Sequence, residues 1–213
     1  MNLIFDLDGT LINSLPGIAQ SLNRSLKQYH LPTHSVEAIR EFIGSGSRTL
    51  CQRAADSPDK ATIDLLESAF MSHYQELWKS GTEIYSGITD LLDDLSANHE
   101  LSILSNKPHA FTKEIIHSLF PSVPFRTILG QRDGISKKPD PSGIHEIISQ
   151  ASDSNAPSYL IGDSVVDLAT AKNAAIKSIA VTWGFEPPSD LEELSPDHIV
   201  HSVAELENLI SAI

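Results

Sequence analysis

The spacing of apolar positions changes twice along the chain. Residues 3–5 form an apolar run, which predicts a short strand buried on both faces. From about 18 to 78 apolar residues recur at four-residue intervals, and no convincing strand interrupts this helical pattern. From 87 onward short apolar runs alternate with helical stripes, which predicts a parallel sheet.

A helical stretch as long as 18–78 exceeds the single helix of an ordinary strand crossover. We therefore expect an α/β fold with a Rossmann-like parallel sheet core at 1–13 and 87–213 and an inserted all-helical domain at 14–86. The hinges are expected near 13–16 and 80–86. The elements predicted for the core after this insert are strands at 100–104, 125–129, 158–161, 178–181 and 198–200, and helices at 88–95, 109–119, 143–151, 165–175 and 203–210.

Two carboxylates, Asp6 and Asp8, stand where the first strand ends, and Gly9 supplies a turn directly after them. Side chains two residues apart project to the same side of a strand, so both aspartates can point into one small volume. Bringing two anions together away from water costs several kcal/mol per ion unless a cation or a proton intervenes. This pair therefore indicates a functional site more strongly than solvated aspartates at a strand end.

Ligands of parallel α/β sheets bind at the carboxyl ends of the strands, so the residues that follow each strand are informative. Ser105 and Asn106 follow the predicted strand at 100–104. A hydroxyl and an amide at a strand-to-helix junction can donate hydrogen bonds to a phosphate, but the same residue types also favour a helix N-cap. The residues alone leave both interpretations open.

Two later turns also carry charge. Lys137 and Lys138 precede a Pro-Asp-Pro turn, where adjacent lysines are usually solvated surface charge. Asp163 and Asp167 lie four residues apart across a strand end and the first helical turn, so both can face the same site. Acidic residues in a first turn are also common as caps, and either aspartate alone would be unremarkable.

Taken in order, these segments resemble the motifs of the haloacid dehalogenase-like phosphohydrolases. The matching segments are Asp6-Leu7-Asp8-Gly9-Thr10-Leu11, Ser105-Asn106, Lys138-Pro139-Asp140-Pro141 and Gly162-Asp163-Ser164-Val165-Val166-Asp167. The resemblance covers essentially the whole chain, including a helical insert after the first motif. That insert is typical of the subgroup whose helical cap carries substrate-selecting residues.

The resemblance implies a role for each matching residue. Asp6 would be the nucleophile that forms an aspartyl-phosphate, and Asp8 the general acid and base. Gly9, Ser105, Asn106 and Lys138 would contact the phosphoryl group. The implied Mg²⁺ ligands, which suit its preference for oxygen, are Asp6, Asp8 through its backbone carbonyl, Asp163 and Asp167.

The insert contains two features of its own. Gly44 and Gly46, with Arg48 close behind, resemble the substrate loop of phosphoglycolate phosphatase-like members, while a tight helix-to-helix turn explains the glycines equally well. Thr182-Trp183-Gly184-Phe185 also resembles that subgroup. Asn13 departs from the family pattern, in which many members carry Asp, and so does Ala175, where Gly is common.

The activity that the resemblance implies is Mg²⁺-dependent hydrolysis of a small phosphomonoester such as phosphoglycolate. The nearest alternatives on the same core are a phosphomutase of the β-phosphoglucomutase type and a pyrophosphatase or nucleotidase. A catalytically silent binding protein would be expected to lack some of the motif residues. A dehalogenase is disfavoured because displacement of halide from carbon needs neither Asp8 nor a metal.

Composition restricts the partners and the compartment. The formal net charge of -13 argues against nucleic acid and against anionic membrane surfaces. The single cysteine, Cys51, excludes an internal disulfide framework and suits the cytosol. Since neither a signal peptide nor a long apolar run is evident, we expect a cytoplasmic protein, monomeric or homodimeric, whose partner is a small phosphorylated metabolite.

Overall fold

The computed structural model describes residues 1–56 and 59–213, and the chain divides into two compact units. The sheet unit combines Met1–Ile12 with Ile84–Ile213, and the helical unit is Asn13–Glu83. The described helices of the second unit are inserted between the first strand of the sheet and its next strand along the chain. This architecture confirms the predicted α/β class with a parallel sheet and a helical insert.

The elements are numbered in chain order. The strands are β1 (Asn2–Phe5), β2 (Ile12–Asn13), β3 (Glu83–Ile84), β4 (Glu100–Pro108), β5 (Thr127–Gln131), β6 (Ser158–Gly162), β7 (Lys177–Val181) and β8 (His198–Val200). The helices are α1 (Leu15–Gln28), α2 (Val36–Phe42), α3 (Ser47–Ala55), α4 (Lys60–Leu77), α5 (Ile88–Ser96), α6 (His109–Leu119), α7 (Ser142–Gln150), α8 (Val165–Asn173), α9 (Pro188–Glu193) and α10 (Val203–Ala212). Among the described residues, no helix is long and apolar enough to cross a membrane.

Six parallel strands form the sheet, in the order β5-β4-β1-β6-β7-β8. The chain first moves from β1 outward through β4 to β5, then crosses to the other side of β1 and continues outward through β6, β7 and β8. The direction of winding therefore reverses beside β1. Such a reversal opens a crevice at the carboxyl ends of the strands, which is where α/β sheets bind ligands.

β1 is the most enclosed part of the sheet, since all four of its residues are buried. Ile4 packs in an apolar cluster with Leu104 of β4 and Leu160 of β6, and helix α7 adds Ile144 and Ile147 to the same cluster. Burying side chains of this size contributes about 1.5–3 kcal/mol each. The end of β1 is thus held rigidly where the crevice opens.

The helical unit is built on the pairing of α1 with α4. The apolar stripe of α1, Ile18, Leu22 and Leu26, is buried, which is the face that the four-residue spacing predicts. Gly17 at the start of α1 donates a backbone hydrogen bond of 2.9 Å to Gly81 beyond α4. A Cβ atom on Gly81 would lie 2.4 Å from the Gly17 Cα, so this approach requires glycine.

The observed strands differ from those predicted from apolar spacing where a strand ends in polar residues or is too short to show a periodicity. β4 continues to Pro108 instead of ending at 104, and the pattern missed this extension because Ser105, Asn106 and Lys107 are polar although they are buried. β5 begins at Thr127, two residues later than predicted, because Phe125 instead packs edge-on against Phe120, with ring centroids 6.3 Å apart. β2 and β3, which pair with each other, and the short helix α9 have too few residues to show a periodicity.

Candidate active site

The turn after β1 places the first pair of aspartates. The backbone N–H of Asp6 donates to Ile161 of β6 at 2.9 Å, which continues the sheet pairing to the first carboxylate. Gly9 then adopts a left-handed φ of +90°. A Cβ atom there would lie 2.1 Å from Asp163 Oδ2, so Gly9 both makes the turn and leaves room for Asp163.

Three of the predicted carboxylates converge. One carboxylate oxygen from each of Asp6, Asp163 and Asp167 lies within 4.8 Å of the others, and all three residues are buried. Lys138 enters the cluster from the loop after β5, and its Nζ lies 2.6 Å from Asp167 Oδ1 and 2.9 Å from Asp6 Oδ1. The structure therefore brings together four residues from the three segments that follow β1, β5 and β6 at the carboxyl edge of the sheet.

The electrostatics of this cluster favour added positive charge. Burial raises the pKa of Asp6 to about 7, although the Lys138 charge acts in the opposite direction. Burial, together with the charges of Asp6 and Asp167, raises the pKa of Asp163 well above its usual range. Burial lowers the pKa of Lys138, but the Asp167 and Asp6 charges outweigh it and raise the pKa above the ordinary lysine value. One ammonium is thus insufficient to neutralise three buried carboxylates.

The cluster fits a divalent cation on two counts. Asp6 Oδ1 is buried and lacks a hydrogen bond of good geometry, although the ammonium of Lys138 lies 2.9 Å away. The converging donors are all carboxylate oxygens, which are the ligands that Mg²⁺ prefers. Asp6, Asp163 and Asp167 are therefore the residues that could hold the metal.

Asp163 is oriented by two hydrogen bonds from outside its own strand. Thr10 Oγ1 donates to its Oδ1 at 2.8 Å, and the backbone N–H of Phe185 donates to its Oδ2 at 2.8 Å. Trp183 in the same loop donates its indole N–H to the Thr10 carbonyl at 3.1 Å, which ties the loop after β7 to the turn after β1. Gly184 lies so close that a Cβ atom there would be 2.2 Å from Asp163 Cβ.

Asp167 is fixed by the first turn of α8. Ser164 caps this helix. Its hydroxyl accepts the backbone N–H of Asp167, and the carboxylate of Asp167 accepts the backbone N–H of Ser164, which are the reciprocal hydrogen bonds of a capping box. One carboxylate oxygen accepts the Ser164 hydroxyl at 2.6 Å, and the other oxygen accepts Lys138 Nζ at the same distance. Asp167 therefore caps α8, as acidic residues in a first helical turn often do, and also lies in the carboxylate cluster.

Ser105 and Asn106 lie on the last residues of β4, and both are buried. Asn106 donates its amide to the Lys138 carbonyl at 3.0 Å and accepts the Lys138 backbone N–H at 2.8 Å. These contacts hold the loop that carries Lys138. Ser105 Oγ accepts the backbone N–H of Lys107 at 3.2 Å, which leaves its own hydroxyl proton available to a ligand.

Lys107 is a site residue that the sequence argument did not identify. Its Nζ lies 2.9 Å from Asp8 Oδ1 and 3.0 Å from Asp8 Oδ2, and both side chains are largely buried. Strand alternation gives no reliable signal for Lys107, because the pairing of β4 with β5 shifts register between Leu104 and Pro108. Asp8 thus has its own lysine, separate from the one that serves Asp6.

Gly44, Gly46 and Arg48 belong to the helical unit. Both glycines have left-handed φ values, +100° and +85°, and Gly46 is the N-cap of α3. Arg48 on α3 pairs with two acidic residues of α4, at 2.6 Å from Asp64 and 3.2 Å from Glu67. The glycines therefore do form the turn between α2 and α3, and the cation behind them is anchored to α4.

Comparisons with known proteins agree with this geometry. The family described as haloacid dehalogenase-like hydrolase matches residues 3–181. The phosphoglycolate phosphatase of Colwellia psychrerythraea is 31% identical over 212 residues, which cover 96% of this chain and 94% of that protein. The enzyme of the same name from Pseudomonas putida is 32% identical over 211 residues, which cover 96% of this chain and 77% of that protein.

Solved structures resemble the chain over its whole length. A predicted phosphoglycolate phosphatase from Haemophilus somnus superposes with a TM-score of 0.90 at 26% identity, covering 98% of this chain and 96% of that one. A predicted phosphatase from Clostridium acetobutylicum gives a TM-score of 0.89 at 26% identity, covering 100% of this chain and 98% of that one.

Proposed function

Because the chain belongs to the haloacid dehalogenase-like hydrolase family, we propose that it is a Mg²⁺-dependent phosphatase of small phosphomonoesters, with phosphoglycolate as the substrate type. The observation that carries the chemistry is the arrangement around Asp6. A buried carboxylate lies at the end of the central strand, 2.9 Å from the ammonium of Lys138, with Asp163 and Asp167 beside it. The substrate type is supported by two relatives named phosphoglycolate phosphatase, of which the matched regions cover 94% and 77%.

The proposed reaction has two steps. In the first, a carboxylate oxygen of Asp6 attacks phosphorus while the bond from phosphorus to the leaving oxygen breaks, and Asp8 gives its proton to that oxygen. In the second, Asp8 takes a proton from a water molecule whose oxygen attacks phosphorus, so that inorganic phosphate leaves and Asp6 is regenerated. Ser105 and Lys138 donate hydrogen bonds to the phosphoryl oxygens, on which charge is spread in the transition state.

Asp6, Asp163, Asp167 and the backbone carbonyl of Asp8 would hold Mg²⁺, which prefers oxygen ligands of this kind. When bound, the metal supplies charge neutralisation between the nucleophile and the phosphate, which otherwise repel each other. Gly9 lets the chain turn so that its backbone can approach the phosphoryl group. Asn106 acts mainly through the Lys138 loop, to whose backbone it makes two hydrogen bonds.

The helical unit, Asn13–Glu83 in the structure and 14–86 by the sequence expectation, is proposed to act as the cap that selects the substrate. Gly44 and Gly46 would give the loop before α3 its left-handed turns, and Arg48 would offer a cation to an acidic substrate. Support comes from the anchoring of Arg48 by Asp64 and Glu67, which holds its guanidinium at a defined place on α3.

The test is release of inorganic phosphate from a panel of small phosphoesters with Mg²⁺ or with EDTA. The panel includes phosphoglycolate, a hexose phosphate, a nucleoside monophosphate and pyrophosphate. We expect Mg²⁺-dependent release with the highest kcat/KM on phosphoglycolate, and no turnover by Asp6→Asn. Release from the other compounds only would contradict the substrate type, whereas full activity of Asp6→Asn would contradict the mechanism.

The matched control is Asp93→Asn, which makes the same change at an exposed position of α5. Its activity should equal that of the wild type. The intermediate is tested by quenching the reaction in acid and measuring the added phosphoryl mass by peptide mass spectrometry. The modification should lie on Asp6, and its location on another residue would contradict the assignment of the nucleophile.

A further inference from the structure

The ion pair between Lys107 and Asp8 has no place in the mechanism described so far. Lys107 Nζ lies 2.9 Å and 3.0 Å from the two oxygens of Asp8, and the two side chains are only 5% and 13% exposed. We propose that Lys107 is a positioning residue, which holds the carboxyl group of Asp8 at the place from which it exchanges protons. This inference rests on the proposed function, since it assigns a role relative to the acid and base of that reaction.

The backbone of Lys107 is itself held on both sides. Its N–H donates to Ser105 Oγ at 3.2 Å, and its carbonyl accepts the hydroxyl of Thr112 from α6 at 3.2 Å. A Cβ atom on Gly130 of the neighbouring strand would lie 2.6 Å from that carbonyl, so the two strands approach closely here. Because the backbone of Lys107 is fixed, placing its ammonium costs less conformational entropy than placing that of a lysine on a mobile segment.

Asp8 needs such a partner because it lies just beyond the sheet. It follows β1 in a turn, where Gly9 donates its backbone N–H to Ile12 at 2.8 Å. The other buried ammonium of the sheet-edge cluster, that of Lys138, is already paired with Asp6 and Asp167. Asp6 and Asp8 are thus paired with different lysines, so the contact that holds Asp8 does not compete for Lys138.

The pairing is compatible with proton transfer. Each carboxyl oxygen has two acceptor directions, and the contact with Lys107 takes one from each oxygen. In the first step the proton of Asp8 passes to the leaving oxygen as the bond from that oxygen to phosphorus breaks and the bond from Asp6 forms. In the second step the carboxylate of Asp8 receives the proton of the water whose oxygen displaces Asp6 from phosphorus.

The experiment compares two esters that differ in their need for an acid. An alkyl ester such as phosphoglycolate expels a poor leaving group that needs a proton, whereas p-nitrophenyl phosphate expels a stable phenolate that does not. Because kcat/KM reports the steps up to phosphoryl transfer, it isolates the acid role of Asp8. Correct general acid placement typically contributes 10²–10⁴-fold.

We expect Lys107→Met to lower kcat/KM for phosphoglycolate by about 10²-fold, mainly through kcat, and for p-nitrophenyl phosphate by less than about threefold. Lys107→Arg should recover much of the loss, because a guanidinium can pair with both carboxylate oxygens. Lys113→Met on α6 is the matched control, since it removes an exposed lysine, and should leave both values unchanged. Circular dichroism and thermal melting establish that each variant is folded.

The outcomes separate the two proposals. Equal losses on both esters, or a rise in KM with unchanged kcat, would overturn the positioning role, as would unchanged kinetics of Lys107→Met. If Lys107→Met does not fold, the comparison is made with Lys107→Gln and Lys107→Arg, and a failure of Arg to exceed Gln on the alkyl ester would overturn it. A wild-type protein that hydrolyses neither ester would instead overturn the proposed function.

Discussion

Replacing Asp6 with Asn tests the electrostatic description of the site without relying on turnover. Burial raises the pKa of Asp6 from 3.8 to about 7, so the ionised form is disfavoured in the folded protein relative to the unfolded chain. A rise of that size corresponds to about 4 kcal/mol between the two protonation states. Asparagine resembles the neutral form in shape and carries no charge. In the absence of metal, Asp6→Asn should therefore be more stable than the wild type at alkaline pH.

The sign of the pH dependence follows from proton linkage. Between about pH 4 and about pH 7 the folded protein retains a proton on Asp6 that the unfolded chain has lost, so wild-type stability decreases as the pH rises through this window. The advantage of Asp6→Asn should be near its maximum above about pH 8, at up to about 4 kcal/mol or roughly 10 °C in Tm. The stability advantage of Asp6→Asn should decrease as the pH is lowered from about 7 to about 4.

The assay is thermal and urea unfolding in EDTA across this pH range, with Asp93→Asn as the control for an exposed position. Added Mg²⁺ should then raise the Tm of the wild type, because the metal binds only the folded state, and should raise that of Asp6→Asn much less. The reasoning would be refuted if Asp6→Asn in EDTA above about pH 8 were no more stable than the wild type.

Three further changes probe other parts of the structure. Gly184→Ala places a Cβ atom against Asp163 and should weaken Mg²⁺ binding by about 10–100-fold in calorimetric titration, whereas unchanged affinity would contradict the tight packing. Lys138→Met leaves two buried carboxylates without their ammonium and should lower the free energy of unfolding in EDTA by about 3–5 kcal/mol, measured in urea. Arg48→Ala breaks exposed ion pairs and should cost less than about 1 kcal/mol in the same measurement; a larger loss would show that Arg48 supports the helical unit.

The convergence of Asp6, Asp163 and Asp167 was predictable from sequence for a simple reason, whereas Lys138 was expected there only from the family resemblance. Each of the three aspartates follows a predicted strand, and the carboxyl ends of parallel strands share one edge of the sheet. The helical insert was equally evident, because four-residue spacing without strand signals persists from about 18 to 78. The spacing of residues along the chain is therefore sufficient to predict the shared sheet edge and the helical insert.

The contacts that orient these residues were not predictable in this way. Whether Lys107 faces Asp8, or Asn106 faces the Lys138 backbone, depends on the path of the chain beyond the regular strand, where alternation no longer fixes direction. The backbone N–H of Phe185 that holds Asp163 leaves no trace in the sequence, since every residue except proline has one. Side-chain direction in turns and backbone donors in loops therefore had to come from the structure.

The central position of β1 has a consequence for synthesis on the ribosome. This strand is made before both of its neighbours, yet Asn2 pairs with Glu100 on one side and with Ser158 on the other. One edge of the apolar segment before Asp6 must therefore stay open until β6 has been translated, while the contiguous helices of Asn13–Glu83 can already pack on one another. Nascent chains stalled before β6 is complete should expose one edge of β1 to chaperones, so that the carboxylates of Asp6 and Asp163 can come together only after Ser158–Gly162 has been made.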